Sequence, residues 1–333
     1  MVAISQVREQ IATIKNLGSG LVAVFVGGTS GIGLSTAREF TRHATAPHIY
    51  LVGRNEAQAS EIITELKTIN EFATVDFIKS DVSLLKNVDL ACQEITKKES
   101  KVNLLVLSAG IMTTQGRTET SEGLDRKLSL HYYSRMRFID NLLPSLTRAA
   151  SSGHLARVVS VFSPGHEGKL IENDLDLKHN YSLSNAAAQA STMTSLYMTR
   201  LSATHPSISL VHSLPGGVNT NLMRDFNPLV RCLTSGLLTL MTPLGSSVGL
   251  LSVKESGERH AFAATSPLFA PRVEGGLTVG ADGEKGSGAY RVNYDGSIVE
   301  AKLALLKGYL GSGVGDKVWE HTREVFRKAT GGL

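Results

Sequence analysis

Residues 21–33, with the sequence LVAVFVGGTSGIG, join a short apolar run to a glycine-rich turn. The run over residues 21–26 is apolar and rich in valine, which predicts a strand that is buried on both faces. The turn that follows offers small residues for the close approach of a ligand: Gly27, Thr29, Ser30, Gly31, Ile32 and Gly33. Glycine permits positive φ and lets backbone amides approach a pyrophosphate, which the positive end of a helix beginning near Leu34 would stabilise. Between a buried strand and a helix, this pattern favours dinucleotide binding over a plain tight turn.

The chain continues as alternating strands and helices to about residue 213. Runs rich in β-branched residues predict strands at residues 48–52, 74–79, 103–107, 156–161 and 207–213, and residues 288–296 offer an additional edge strand. Segments of helical length separate the strands, among them residues 31–43, 56–69 and 121–150. Continuous apolar strands need cover on both faces, and the intervening helices supply it. The predicted fold is therefore α/β, a doubly wound parallel sheet of the Rossmann type with helices on both faces.

The composition of the 333 residues is that of a globular protein, with 42% hydrophobic residues, 19% charged residues and a formal net charge of +4. These values exclude a disordered or collagen-like chain. The basic residues are scattered and form no run of five, so nucleic acid is not an expected partner. Cys92 and Cys232 cannot build a disulfide framework or a zinc ribbon, so a reducing, cytoplasmic compartment is expected.

No linker or change of composition divides the chain, so we expect a single domain with extensions at both ends. The expected parts are an amphipathic N-terminal helix (1–20), a cofactor and catalytic core (21–220), a substrate lid (221–270) and a C-terminal extension (271–333). The 22 uncharged residues 232–253 are long enough to span a membrane. Pro243 and the neighbouring glycines, serines and threonines argue against a stable span and favour an apolar flap over a substrate site.

The residue after the second strand indicates which dinucleotide is bound. NAD enzymes of this fold usually carry an acid here for the ribose hydroxyls, and an acid would repel a 2′-phosphate. Arg54 stands here instead and can bind such a phosphate bidentately, which favours NADP(H) over the alternative of a surface arginine on a loop. Two later turns are expected beside the cofactor: Asp81 with Val82, which border the adenine ring, and Ser108, Ala109 and Gly110.

The order of these motifs resembles that of the short-chain dehydrogenase/reductase family over residues 20–225. The matching motifs are GGTSGIG (27–33), DV (81–82), SAG (108–110), Ser163, Tyr181 and PGGVNT (215–220). The segment DLDLKHNYSLSNAAAQA is also similar to fungal-type members that act on specialised metabolites. The resemblance implies a small-molecule substrate, and because dimers and tetramers are common in the family it also makes a homo-oligomer an expectation.

Only half of the family's catalytic tetrad is present in this sequence. In the family a serine binds the substrate oxygen, a tyrosine transfers its proton, a lysine four residues later lowers the tyrosine pKa, and an asparagine positions a water. The resemblance assigns the serine to Ser163 and the tyrosine to Tyr181. Asn185 occupies the lysine position, and His131 occupies the asparagine position.

The resemblance also implies that the turn after the sixth strand contacts the nicotinamide carboxamide, although an ordinary Pro-Gly turn is the alternative. The residues concerned are Pro215, Gly216, Val218 and Thr220. No motif offers metal ligands, and His166 and Glu167, in a loop flanked by glycines, are expected at the surface.

Loss of the lysine changes the acidity expected of Tyr181. A cation about 5 Å from a phenolate stabilises it by roughly 3 kcal/mol at an effective dielectric constant near 20, which is about 2 pKa units. Without that cation the pKa of Tyr181 is expected to be about 10, so the phenol donates a proton more readily than it accepts one. At this spacing Asn185 is expected to share a helical face with Tyr181 and to bind a ribose hydroxyl.

Other side chains are candidates for the missing functions. His131 is expected to titrate near neutrality and to relay protons, and the alternative is a histidine packed against the helix below the sheet. Lys169 and Lys178 lie between Ser163 and Tyr181 and would supply charge if their loop folded back, although loop lysines are usually solvated.

These features predict an NADPH-dependent reductase of a carbonyl or imine in a small, largely apolar metabolite. The apolar residues of the predicted lid, such as Phe226 and Leu229, suit such a substrate. Two alternatives stay open. One is a cyclase, isomerase or dehydratase that uses the pocket without hydride transfer, and the other is an NADP(H)-sensing binding protein without chemistry.

Overall fold

Seven parallel strands form the sheet at the centre of the molecule. The computed structural model describes residues 1–220 and 249–331. The strands are β1 (Val22–Val26), β2 (His48–Gly53), β3 (Thr74–Lys79), β4 (Leu104–Leu107), β5 (Arg157–Val161), β6 (Ser209–Ser213) and, after the short pair β7 (Gly217–Val218) and β8 (Leu250–Leu251), β9 (Ala289–Val292). The order in the sheet is β3-β2-β1-β4-β5-β6-β9, and β7 and β8 pair separately. The six predicted strands and the edge strand are all present, and the doubly wound Rossmann-type fold is confirmed.

Helices cover both faces of the sheet. They are α1 (Ile4–Ile11), α2 (Gly31–His43), α3 (Glu56–Ile69), α4 (Leu85–Lys98), α5 (Arg126–Leu128), α6 (Ser134–Ser151), α7 (Leu183–Thr204), α8 (Val253–Thr265), α9 (Leu303–Gly311) and α10 (Val314–Thr330). Successive side chains of a strand point to opposite faces, so β1 contributes to two cores. Val24 packs with residues of α4, α6, α7 and α10. Phe25 packs on the other face with residues of α1, α2, α3 and α8.

The sheet order places a crevice at the carboxyl ends of β1 and β4. The chain runs outward from β1 to β3 on one side and from β4 to β6 on the other. The loops that leave β1 and β4 therefore diverge to opposite sides of the sheet. In doubly wound folds ligands bind at this point of divergence.

The segment predicted as one helix over residues 121–150 is divided in the structure. Helix α5 begins only at Arg126, because the Asp125 carboxylate accepts hydrogen bonds from the amides of Lys127 and Leu128 and so caps the helix there. A π-helical turn over Ser129–Tyr133 follows before α6 begins. Such turns interrupt the regular backbone ladder and are frequent at functional sites.

The predicted lid over residues 221–270 falls only partly within the described residues. Residues 221–248, which include Phe226 and Leu229, lie outside the described residues. Residues 253–265 form α8, whose Ala261 and Phe262 are buried in the core with α1 and α2, so the lid interpretation does not extend to this helix. None of the helices in residues 1–220 and 249–331 is long and apolar enough to cross a membrane.

Candidate active site

A cavity of about 850 Å³ opens at the carboxyl ends of the central strands, at the crevice given by the sheet order. Its size is within the usual range for small-molecule sites. The predicted residues that line it are Gly27, Thr29, Ser30, Gly31, Ile32, Gly33, Arg54, Asp81, Val82, Ser108, Ala109, Gly110, His131, Ser163, Pro215, Gly216 and Thr220. Three predicted residues, Tyr181, Asn185 and Val218, are not part of the cavity wall.

Close packing makes the turn after β1 dependent on glycine. Gly27 has a φ of 84°, in the left-handed region that side chains disfavour. A Cβ atom added to Gly33 would lie 2.3 Å from Ser108 Oγ and 2.5 Å from the carbonyl oxygen of Gly27. Ser108 is itself held in place, because its hydroxyl donates to the carbonyl oxygen of Val26 at 3.0 Å. At Gly27 and Gly33 the packing against the residues that follow β4 thus leaves no room for a Cβ atom.

The start of α2 fits a pyrophosphate group. Helix α2 begins at Gly31, and the side chain of the N-cap residue Ser30 forms no hydrogen bond to its amides. The first amides of a helix have no partner within the helix, and their positive end attracts anions. Both Ser30 and Gly31 line the cavity. The residues present at this turn therefore fit the phosphates of a dinucleotide.

Arg54 lies at the rim of the same cavity, directly after β2, and is exposed. Within residues 1–220 and 249–331 its guanidinium makes no hydrogen bond or ion pair. The neighbouring Asn55 caps α3 by accepting a hydrogen bond from the amide of Gln58. The position that binds ribose hydroxyls in NAD enzymes therefore carries a cation that is free to bind an anion.

Ser163 follows β5, and its backbone forms a hydrogen bond to a buried histidine. Its backbone amide donates to Nε2 of His212 at 3.3 Å. Burial first, and then the charges of Arg135 and Arg291, hold the pKa of His212 well below its usual range, so the ring is neutral. Because Nε2 accepts, the proton is assigned to Nδ1, which lies 3.0 Å from Ser195 Oγ.

Glu167 completes this network, and the expectation that it lies at the surface is wrong. Its side chain is 0% exposed. The buried carboxylate accepts hydrogen bonds from Ser195 Oγ at 2.8 Å and from the amide of Gly165 at 2.7 Å. Arg291 of β9 pairs with it at 3.3 Å and is 2% exposed. His166, its neighbour, is exposed as expected. The loop that carries Ser163 is thus tied to β6, α7 and β9.

The structure corrects the expected arrangement of Tyr181 and Asn185. Helix α7 begins at Leu183, because Ser182 caps it by accepting a hydrogen bond from the amide of Asn185. Tyr181 therefore precedes the helix, and the two residues do not share a helical face. The Asn185 side chain donates to the carbonyl oxygen of Asn180 at 2.8 Å.

The Tyr181 hydroxyl is buried outside the cavity wall and has no hydrogen-bond partner among the described residues. Burial first, and then the nearby Asp125 carboxylate, raise the pKa of Tyr181 to about 12. The phenol is therefore a weaker acid than the value of about 10 expected from the sequence.

His131 lies in the cavity wall on the π-helical turn, but it is not the near-neutral relay that the sequence suggested. Burial first, and then the positive charge of Arg135, lower the pKa of His131 to about 3. Its Nε2 accepts a hydrogen bond from the amide of Ile111 at 3.3 Å, and its ring lies 4.7 Å from that of Phe162. His131 is thus a neutral ring that braces the wall.

Lys127 places a cation in the cavity wall, and the sequence analysis did not identify this residue. It lies on α5 four residues before His131 and lines the cavity. Its ammonium is 5.3 Å from the centre of the Tyr181 ring. The spacing to His131 was a readable signal, since residues four apart share a helical face. Lys169 and Lys178, the two lysines considered from the sequence, do not line the cavity.

We expect Tyr181→Phe to leave turnover within about threefold of wild type and to raise the free energy of unfolding by about 1 kcal/mol. A buried hydroxyl without a partner is destabilising, whereas a general acid contributes about 100- to 10,000-fold to the rate. Urea unfolding and steady-state kinetics measure both quantities. The matched control is Tyr132→Phe, because the buried Tyr132 hydroxyl bonds to Thr322 Oγ1 at 2.6 Å and its removal is expected to destabilise. A loss of turnover of 100-fold or more in Tyr181→Phe would show that the phenol reaches the substrate.

Comparison with known proteins identifies the family. The sequence matches the short chain dehydrogenase family over residues 21–229. The chain belongs to this family. An oxidoreductase of Emericella nidulans is 40% identical over 99% of both chains, and the oxidoreductase andH of Emericella variicolor is 36% identical over 99% of this chain and 98% of its own. With relatives of this kind along its whole length, the chain is an oxidoreductase of the family.

Solved structures agree on the fold. L-sorbose reductase from Gluconobacter frateurii, in complex with NADPH and L-sorbose, is similar with a TM-score of 0.58 and 20% identity. The match covers 85% of this chain and 97% of that protein. The family and this fold support a nicotinamide cofactor, and the glycine turn and the start of α2 fit its phosphates. Within the described residues no group of three side chains is suited to holding a metal ion.

Proposed function

We propose that this protein is an NADPH-dependent reductase of a carbonyl or imine group in a small, largely apolar metabolite. The observation that carries the proposal is Arg54, which has no ion-pair partner among the described residues and lies at the rim of the cavity, where NAD enzymes of this fold carry an acid. The residues that would hold the dinucleotide are Gly27, Thr29, Ser30, Gly31, Ile32, Gly33, Arg54, Asp81, Val82, Ser108, Ala109, Gly110, Pro215, Gly216 and Thr220. A bound nicotinamide supplies the hydride.

The half of the cavity beyond β4 has the character of an apolar substrate pocket. Its wall includes Ile111, Met112, Leu130, Phe162, Leu183 and Leu214. Ser163 is in the same wall, and its backbone is fixed by His212. With the backbone held in this way, the hydroxyl of Ser163 can donate to an acceptor oxygen or nitrogen and orient it. Fungal relatives along the whole chain support a substrate from specialised metabolism.

Replacing Arg54 tests the choice of dinucleotide. We expect Arg54→Leu to weaken NADPH binding about 10- to 100-fold and to change NADH binding by less than about twofold, since a charge-assisted hydrogen bond contributes roughly 1.5–3 kcal/mol. Fluorescence titration measures both affinities. The control is Arg42→Leu, because Arg42 is paired with Glu39 on α2 and does not line the cavity. Equal losses for both dinucleotides would contradict the assignment of Arg54 to the 2′-phosphate.

Turnover separates the proposal from the non-redox alternative. A panel of aromatic ketones and cyclic imines with NADPH is expected to include acceptors that oxidise the cofactor, followed by absorbance. Cofactor binding without oxidation, together with substrate conversion that continues in NADP⁺, would instead show a cyclase, isomerase or dehydratase.

A further inference from the structure

Lys127 is an ammonium in the cavity wall without an acidic partner. It is only 6% exposed, and its Nζ donates to the carbonyl oxygens of Gln115 at 2.9 Å and Gly116 at 3.2 Å. No carboxylate within residues 1–220 and 249–331 forms an ion pair with it. An ammonium has three hydrogens to donate, and beyond these two bonds and the contact with the Tyr181 ring no described oxygen accepts the third.

The nearest candidate counter-ion, Asp125, is committed to the backbone. One of its carboxylate oxygens accepts from the amides of Lys127 and Leu128, and the other accepts from the amide of Thr118. Its charge partly offsets the effect of burial, which lowers the pKa of Lys127. Asp125 thus stabilises the start of α5 without neutralising the ammonium by direct contact.

A second cation, Arg135, adds to the positive charge of this half of the cavity. Its guanidinium donates to the carbonyl oxygens of Leu130, Val161 and Ala109, and also to a serine hydroxyl. Burial lowers the pKa of Arg135 to about 9, which still leaves it charged at neutral pH. No carboxylate among the described residues bonds to it. Asp81, which follows β3 on the other side of β1, is the one acid among the described residues that line the cavity.

Two buried cations without carboxylate partners are unfavourable until an anion binds near them. The turn fitted to phosphates follows β1, whereas Lys127 and Arg135 come from the segment between β4 and β5. The anion complementary to these cations is therefore a part of the substrate. Apolar neighbours, among them Met112, Phe162 and Leu183, surround the same space.

We propose that Lys127 binds the substrate directly through an anionic oxygen, so that the substrate is an apolar metabolite bearing a carboxylate or an enolate. The proposal rests on the proposed function only in placing the substrate in this half of the cavity. Lys127 then determines specificity, and it supplies near the acceptor the positive charge that Asn185 cannot.

Equilibrium binding of a matched pair of probes tests the proposal on the full chain. We expect 2-naphthoate to bind wild type roughly tenfold more tightly than 2-naphthamide, because a hydrogen bond to a charged group is stronger than one to a neutral group. Lys127→Met is expected to remove this preference, and Lys127→Arg to retain part of it. Lys178→Met is the control, because Lys178 is exposed and paired with Asp176 at 3.3 Å. Calorimetry measures each affinity.

Three results would overturn the proposal: no binding of 2-naphthoate, equal affinity for the two probes in wild type, or a preference that persists in Lys127→Met. If Lys127→Met does not fold, a crystal structure of wild type with 2-naphthoate decides the matter. A carboxylate within hydrogen-bond distance of Lys127 Nζ supports the proposal, and a carboxylate elsewhere overturns it.

A separate NADPH titration keeps the two proposals distinguishable. Failure to bind NADPH, or to oxidise it, would count against the reductase and would leave the naphthoate preference unaffected. Loss of that preference with intact NADPH binding would count against Lys127 alone.

Discussion

Replacing Gly33 with alanine is expected to abolish measurable dinucleotide binding and to lower the free energy of unfolding by about 1–3 kcal/mol. Helix propensity alone predicts the opposite, since alanine is favoured over glycine within a helix by about 1 kcal/mol. The new Cβ atom would lie 2.3 Å from Ser108 Oγ and 2.5 Å from the carbonyl oxygen of Gly27. Rotation of Ser108 would break its hydrogen bond to the carbonyl oxygen of Val26, and the Gly27 carbonyl belongs to the turn itself. The turn must therefore move, and the amides that we propose to bind the phosphates move with it.

Gly308→Ala is the matched control for this substitution. Gly308 also lies within a helix, α9, but an added Cβ atom would meet nothing within 4 Å. We expect it to raise the free energy of unfolding by up to about 1 kcal/mol and to leave NADPH binding unchanged. Urea unfolding and fluorescence titration of both variants give the comparison. Equal behaviour of the two variants would show that the turn after β1 tolerates a side chain.

Local sequence patterns predicted the sheet and the glycine-rich wall of the cavity because each depends on neighbouring residues. Valine-rich runs mark strands, and a glycine turn between a strand and a helix is readable within a dozen residues. The position of Arg54 directly after a strand was enough to predict that it lies at the cavity. Every residue predicted around the phosphates lines the cavity, since the carboxyl ends of parallel strands meet at one edge of a sheet.

The surroundings of the candidate catalytic residues were predicted less well, because they depend on where helices begin and on burial. Ser182 is a good N-cap residue, and that signal would have placed Tyr181 before α7 rather than on it. The pKa of His131 follows from burial, which a local pattern does not give, and from Arg135 four residues later. The loop flanked by glycines predicts a surface position for Glu167, and the local pattern does not reveal its partner Arg291, which is 124 residues away in the chain.

Replacing Glu167 with alanine is expected to lower the free energy of unfolding by about 3–5 kcal/mol, because it leaves the buried Arg291 without its counter-ion. The matched control is Glu172→Ala in the same loop region. Glu172 pairs with Lys317 at 3.2 Å, but the two side chains are 43% and 50% exposed, so a loss below about 1 kcal/mol is expected. Urea unfolding of the two variants measures the difference.

Glu167→Ala should also lower turnover, because Glu167 connects its ion pair with Arg291 to the loop of Ser163. Without its carboxylate, the amide of Gly165 and the hydroxyl of Ser195 lose an acceptor, and His212 loses the group that fixes Ser195. A displacement of about 1 Å at a reacting group can reduce the rate roughly 100-fold, so kcat is expected to fall tenfold or more with little change in NADPH affinity.

The double variant Glu167→Ala/Arg291→Met separates the two effects of Glu167. Removing both charges avoids an unpaired buried cation, so the double variant should be more stable than the sum of the single changes predicts. Turnover should stay low, because the amide of Gly165 still lacks its acceptor. Recovery of both stability and kcat would show that Glu167 only neutralises Arg291 and does not position the Ser163 loop.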